Sequence, residues 1–258
     1  MRPAVIAALL LAAGCHDYNI LKQSFCDGPP RPFLLCDDFD QPGIVDAKRW
    51  QSDVTNGAAA EPLALRSTSS DMATLPIYSP SVAFRGPGAL GIYTPQFGHA
   101  QLIDTVVTKQ VTSAAQGTPP TSTYFAVRFW LNQSANSLPG TSNIISLADR
   151  DGKERFSVDS VDGYLVATDR VTGSRAPTGE QLPFGAWLCI ELRIGKALSL
   201  WSDASSDTPF LVLADIPSPP ALSATRLGLA RGADDEFPSG ASLWIDEVVI
   251  DDQPIGCF

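Results

Sequence analysis

Lysine, histidine and glutamate are all scarce in this chain. Of its 258 residues five are Lys, two are His and six are Glu, and the 18 Lys and Arg are outnumbered by 28 Asp and Glu, giving a formal charge of −10. A protein that grips a polyanion displaces counterions with surplus basic groups, so these counts argue against a nucleic-acid or anionic-membrane role. Glu and Lys suit exposed helix faces, whereas the 22 Asp suit turns, so long amphipathic helices are not expected. No Gly-x-Ser-x-Gly elbow, Gly-x-x-x-x-Gly-Lys phosphate loop, His-x-x-x-His pair or Cys-x-x-Cys pair occurs. Serine-hydrolase, P-loop and zinc chemistry therefore receive no support.

What the chain has is punctuation. Twenty Gly and 21 Pro are spread through a sequence that is 44% apolar and only 18% charged, a globular balance far from the disordered extreme. Strand-like segments recur between turn signals: Phe33 to Phe39, Ser81 to Phe84, Ala89 to Thr94, Leu102 to Val111, Thr123 to Leu131, Asn143 to Ala148, Arg155 to Val158, Tyr164 to Thr168, Trp187 to Ile194, Leu198 to Trp201, Phe210 to Ala214, Arg226 to Ala230 and Ser242 to Ile250. Asp149 to Lys153, with Asp-Gly at its centre, reads as a hairpin turn; 114–122 and 217–221 read as loops. This spacing predicts an all-β fold, a two-sheet antiparallel sandwich.

Period-two alternation assigns faces. Phe125, Val127, Phe129 and Leu131 form a core set, with Tyr124, Ala126, Arg128 and Trp130 opposite. In the Trp187 strand, Leu188, Ile190, Leu192 and Ile194 are the apolar set, and Trp187, Cys189, Glu191 and Arg193 form a face suited to ligand contacts or to lying under a loop.

The amino terminus reads as an address. Behind Arg2, an apolar run from Ala4 to Ala13 is too short to span a bilayer and fits a secretion signal. The small residues before Cys15 resemble a bacterial lipobox, with Ala12 where Leu is usual, which implies lipidation of Cys15 and attachment to a cell-envelope membrane. The expected organisation is a lipoprotein signal peptide over 1–14, a tether with a Cys- and Pro-rich loop over 15–32, and one domain over 33–258. Setting Cys15 aside leaves Cys26, Cys36, Cys189 and Cys257, an even number suited to an oxidising compartment. Of three possible pairings, Cys26 with Cys36 and Cys189 with Cys257 are favoured.

Several segments resemble concanavalin A-like jelly rolls, particularly the laminarinase-type glycoside hydrolases. They are Asp37-Asp38-Phe39-Asp40 followed by Lys48-Arg49-Trp50; Tyr124 to Trp130; Phe184-Gly185-Ala186-Trp187 running into Ile190-Glu191-Leu192 and the hairpin from Leu198; and Leu243 to Ile250 as closing strand. The resemblance implies a jelly-roll sandwich over roughly 33–258. It also implies a structural calcium ion held by Asp38 and Asp246, carboxylate oxygens being the hard ligands Ca²⁺ prefers; the alternative is that Asp38 caps a turn and Asp246 pairs with an Arg. Such hydrolases carry Glu-x-Asp-x-x-Glu, which sets two carboxylates about 5 Å apart, and Asn143 to Asp149 stands where that motif should fall. Asp246, Glu247 and Asp251 lack the required spacing and read as structural. Lyase chemistry would draw on Tyr124, Tyr164, Arg128 or His99, but the Gln-x-His arrangement of alginate-lyase relatives is absent, and His99 reads as a loop residue.

A non-catalytic, lectin-like glycan-binding module is therefore the leading expectation, with Tyr124, Arg128 and Trp130 as a stacking and hydrogen-bonding platform. The bland alternative packs Trp130 beneath a loop and pairs Arg128 with Glu191. Trp50, Trp187, Trp201 and Trp244 read as core or sheet-edge aromatics. Competing functional readings are a cell-surface protein-interaction scaffold and a divergent polysaccharide hydrolase or lyase.

Overall fold

The computed structural model describes residues 25–29, 31–40, 45–55, 59–64, 84–85, 88–94, 98–112, 124–133, 140–182, 186–195, 197–202, 208–209, 211–213, 221–231 and 241–257. The signal peptide, Cys15, most of the tether, most of the Ser81 to Phe84 segment and nearly all of the two expected loops lie outside the described residues. In chain order the elements are β1 (Leu35–Asp37), β2 (Gln51–Val54), β3 (Ala59–Ala64), β4 (Gly88–Thr94), β5 (Gly98–Asp104), α1 (Val106–Thr112), β6 (Phe125–Gln133), β7 (Thr141–Asp149), β8 (Glu154–Val161), β9 (Tyr164–Asp169), β10 (Arg175–Gln181), β11 (Leu188–Ile194), β12 (Leu198–Ser202), β13 (Leu211–Leu213), β14 (Leu222–Arg231) and β15 (Ala241–Asp251).

These strands form two antiparallel sheets, a concanavalin A-like jelly-roll sandwich. The larger runs β13-β12-β11-β6-β15-β4-β3, with β1 also on β15; the smaller runs β10-β9-β8-β7-β14-β5-β2. The alternation in β6 does place Phe125, Val127, Phe129 and Leu131 in the core, where β11 sets Ile190 beside Phe129 and Leu192 beside Val127. The smaller sheet answers with Leu102, Ile145, Leu147, Phe156, Val158, Leu165, Leu227 and Leu229. Burial of each such side chain contributes about 1.5–3 kcal/mol before entropy is charged against it.

Local chemistry overrides the pattern in one expected strand. Leu102 to Val111 is β-branched and apolar enough to read as extended, yet it breaks after β5 into α1. Asp104 is the cause: its carboxylate accepts the N–H groups of Val106, Val107 and Thr108, the donors a helix start leaves orphaned. Strands β2, β3 and β10 are additions, too polar or too Pro- and Gly-interrupted to show an apolar period. The hairpin turn is as expected, with Asp149 Oδ1 accepting N–H groups from Asp151 and Lys153 and Gly152 at φ 78°.

Both favoured disulfides are present, with Cα separations of 5.5 Å for Cys26–Cys36 and 5.9 Å for Cys189–Cys257. Each fastens a chain end to the larger sheet, and together they mark an extracytoplasmic protein. Among the described residues no helix is long and apolar enough to cross a membrane.

One contact between β5 and β14 leaves no space for a side chain. Gly228, at φ 147°, stands opposite Gln101, and a Cβ there would lie 2.2 Å from the carbonyl oxygen of Ala100. Gly228→Ala is expected to cost about 3 kcal/mol through strain and displaced backbone. Urea unfolding should show the loss, and an unchanged midpoint would contradict this close approach.

Candidate functional site

The outer face of the larger sheet is not the open platform expected from sequence. Arg128 is fully buried and Trp130 is 5% exposed. Trp130 stacks on Phe84 with ring centroids 3.6 Å apart, and Arg128 lies under the Phe25 ring at 4.1 Å. Tyr124, half-buried, joins Phe25, Phe33, Ala126, Val249 and Ile255 in a second apolar cluster beneath the two disulfide-tied chain ends, and burial pushes its phenol up to about 12. Arg128 pairs with Glu247 at 3.4 Å rather than with Glu191, and desolvation lowers its guanidinium to about 10. Glu191 binds Arg193 at 2.8 Å and accepts the N–H groups of Ile255 and Gly256, so the β11 face lies under the carboxyl-terminal tail. Tyr124, Arg128 and Trp130 thus hold the roof in place.

A bulge in β15 makes this possible. The register with β6 shifts between Asp246 and Val249, and Glu247 takes φ 47°, so two successive acids point away from a core that keeps Ile245 and Val248. Asp246 accepts N–H groups from Phe84, Arg85 and Glu247, while Glu247 accepts that of Phe25. Desolvation raises the carboxyls of both, Asp246 strongly.

Beside this roof lies an acidic hollow of about 530 Å³. Asp38 lies there, but its neighbours are Asp27 and Asp40, with ligand oxygens all within 4.8 Å of one another. Asp246 is not in that group; its oxygens accept the backbone N–H groups of Phe84, Arg85 and Glu247, while Asp38 accepts that of Asp40 and Asp40 that of Gly88. Burial, then the Asp38 charge, pushes the Asp40 carboxyl up to about 7. Three carboxylates whose oxygens converge in this way are a hard-oxygen donor set of the kind a calcium ion takes.

A further candidate is a polar cleft of about 440 Å³ on the outer face of the smaller sheet. His99 and Gln101, alternate residues of β5, share this face with Asn143 and Ser146 of β7, Arg226 and Arg231 of β14, Asp53 of β2 and Glu154 of β8. His99 Nε2 lies 2.8 Å from Asp53 Oδ1, and its Nδ1 lies 3.2 Å from Thr55 Oγ1. Gln101 Nε2 donates to Asn143 Oδ1, whose amide in turn donates to the buried Asp159 at 2.9 Å. Arg170 secures Asp159 at 3.1 Å and Glu154 at 2.8 Å. The floor is therefore a pre-set row of planar amide, imidazole and guanidinium groups, and among the described lining residues none is Trp, Tyr or Phe.

No family model matches the chain, and no curated protein matches it. Solved structures do. The cellulose-induced protein Cip1 is 17% identical with a TM-score of 0.61, covering 87% of this chain and 100% of that one. A family 7 alginate lyase in complex with substrate is 13% identical with a TM-score of 0.50, covering 80% and 94%. A botulinum neurotoxin type C structure, described as dependent on two ganglioside molecules for cell entry, is 11% identical with a TM-score of 0.52, covering 86% of this chain and 48% of that one. At these identities the likeness shows the fold.

Sequence reasoning reached only His99 among the cleft residues, and misread it as a loop residue. Asp53, Gln101, Asn143, Arg226 and Arg231 escaped because no spacing rule links them. The available signal was alternation itself: His99 and Gln101 flank Ala100, which points into the core.

The acidic hollow yields a pH prediction. A carboxyl raised in the folded state binds its proton more tightly there, so the stability it contributes is complete below the ordinary 3.8 and is lost as pH rises through about 7. In chelator, the melting temperature of Asp40→Asn should fall less over that interval than that of the unaltered protein. Parallel curves would contradict the assignment.

Proposed function

We propose that this chain is an exported, lipid-anchored domain that binds a polysaccharide in the cleft on the smaller sheet. The observation that carries the reading is the locked Gln101–Asn143–Asp159 row, flanked by His99 and two arginines. Vicinal sugar hydroxyls are met by planar groups able to donate and accept side by side, and groups already held by neighbours lose little entropy on binding. Recognition here works by hydrogen bonding without ring stacking, unlike the aromatic platform suggested by β6. Neighbours of the same fold support the class of ligand: the alginate lyase holds a substrate, and the neurotoxin type is described as depending on gangliosides. A protein-docking face would present a contiguous apolar patch; among the described residues the large exposed hydrophobics are Leu34, Val54, Val106, Tyr164, Val171 and Val212, of which Leu34 and Val106 line one hollow and the other four fall on separate elements.

Calcium fits this reading as a structural ion held by Asp27, Asp38 and Asp40, where it would neutralise the cluster and fasten the amino-terminal roof to the turn after β1. Lipidation of Cys15 would place the domain on the envelope surface.

Native gels cast with laminarin, xylan, alginate or polygalacturonate test the glycan reading. At least one polymer should retard the protein, and Gln101→Ala or Asn143→Ala should each weaken retention about tenfold, the equivalent of one lost hydrogen bond. Retardation by none, or equal retardation of both variants, would overturn it. Separately, millimolar Ca²⁺ should raise the melting temperature above that in chelator, and Asp38→Asn should abolish the difference; identical melting with and without the ion would remove calcium from the account.

A further inference from the structure

The geometry points to an acyl-transfer site at the β2 end of the cleft, built from Asp53, His99 and Thr55. We infer that Thr55 Oγ1 is a nucleophile toward carboxylic esters, with His99 as its base and Asp53 as the group that orients that base.

Strand pairing creates the arrangement. Thr55 follows β2, its N–H donates to the carbonyl of His99, and its Oγ1 accepts the N–H of His99, which ties the two residues together. Asp53, two residues earlier, projects to the same side. An ionised carboxylate only accepts, so the 2.8 Å contact from Asp53 Oδ1 places the imidazole proton on Nε2. The lone pair then lies on Nδ1, 3.2 Å from Thr55 Oγ1, and the hydroxyl proton is directed at it. A nucleophile bonded to a base, and a base held by a third group, is the arrangement that activates a hydroxyl. The site is open: the side chains of His99 and Asp53 are 33% and 49% exposed. A histidine that served only to satisfy core polar groups would be closed off.

Attack by Oγ1 on an ester carbonyl forms the Oγ1–C bond as the hydroxyl proton passes to Nδ1, and Asp53 stabilises the imidazolium. Collapse of the tetrahedral oxyanion breaks the bond to the alcohol oxygen, which takes the proton from Nδ1 and leaves as a hydroxyl. Water then gives a proton to Nδ1 and bonds to the acyl carbon; collapse breaks the Oγ1–C bond, Oγ1 recovers the proton, and a carboxylic acid is released. Water is the sole co-reactant. Gln101 and Arg231 line the same cleft and carry N–H groups, the chemistry that stabilises an oxyanion. The substrate class is an O-acylated saccharide. The choice of saccharide rests on the glycan reading above, whereas the acyl chemistry does not.

Incubation with p-nitrophenyl acetate, followed by peptide mass spectrometry of acid-quenched protein, tests the chemistry. Acetyl should be found on Thr55, and Thr55→Val, which keeps the shape and removes the hydroxyl, should abolish that adduct and lower turnover by about 100-fold or more. Asp53→Asn should lower turnover by at least about tenfold while circular dichroism stays unchanged. Acetyl trapped only elsewhere, Thr55→Val at the unaltered rate, or no hydrolysis of p-nitrophenyl acetate by folded protein would each overturn the inference. Polysaccharide retention by the same preparation is read separately. Retention without hydrolysis sinks this inference alone, and hydrolysis without retention sinks the glycan reading alone.

Discussion

The ion pair between Arg128 and Glu247 is the constraint on which the rest of the molecule depends. Both side chains are fully buried on what would otherwise be the solvent face of a sheet. Charges withdrawn from water at a cost of several kcal/mol each are tolerated only when paired and further hydrogen-bonded. The bulge at Glu247 brings the acid to the arginine, the Phe25 N–H occupies the other carboxylate oxygen, and the Phe25 ring covers the guanidinium. Removing the roof would strand both charges, so the amino-terminal segment is bound to the sheet electrostatically as well as through Cys26–Cys36. Arg31 with Asp251, and Glu191 with Ile255 and Gly256, extend the same principle across the face.

The sealing of one sheet leaves the other as the open polar surface. On the smaller sheet the polar groups are held laterally, each by its neighbour along the row from Gln101 to Arg170, rather than by a cover. Gly228, paired with Gln101, lets β14 approach β5 where a side chain would meet the Ala100 carbonyl. The result is a shallow, pre-ordered cleft in which Gln101 and Asn143 are held in place by their neighbours, with His99, Arg226 and Arg231 lining it too.

Much of this fold was legible because strand periodicity is a local property. The core faces of β6 and β11 and the Asp149 hairpin follow from alternation and turn chemistry, while an even cysteine count implies two disulfides without itself choosing among the three pairings. What escaped depended on events across the chain. Whether Tyr124, Arg128 and Trp130 face solvent is decided by where Phe25, Phe84 and Ile255 settle, which no spacing within β6 encodes. Asp104 converted an apparent strand into a helix through three backbone hydrogen bonds, an effect visible in residue type only once the strand end is known. Asp38 lies among the carboxylates of Asp27 and Asp40 rather than beside Asp246, whose oxygens take backbone donors of the roof, a placement decided by folding across the chain. The cleft was least legible of all, since five strands contribute one or two polar residues each.

The central claim is that the ligand face lies on the smaller sheet while the larger sheet is closed. Hydrogen–deuterium exchange with and without the most strongly retained polysaccharide addresses it directly. Binding should slow exchange in β5, β7 and β14 and leave residues 25–36, β6 and β15 as they were. Protection concentrated in the amino-terminal roof and β6 would contradict the account.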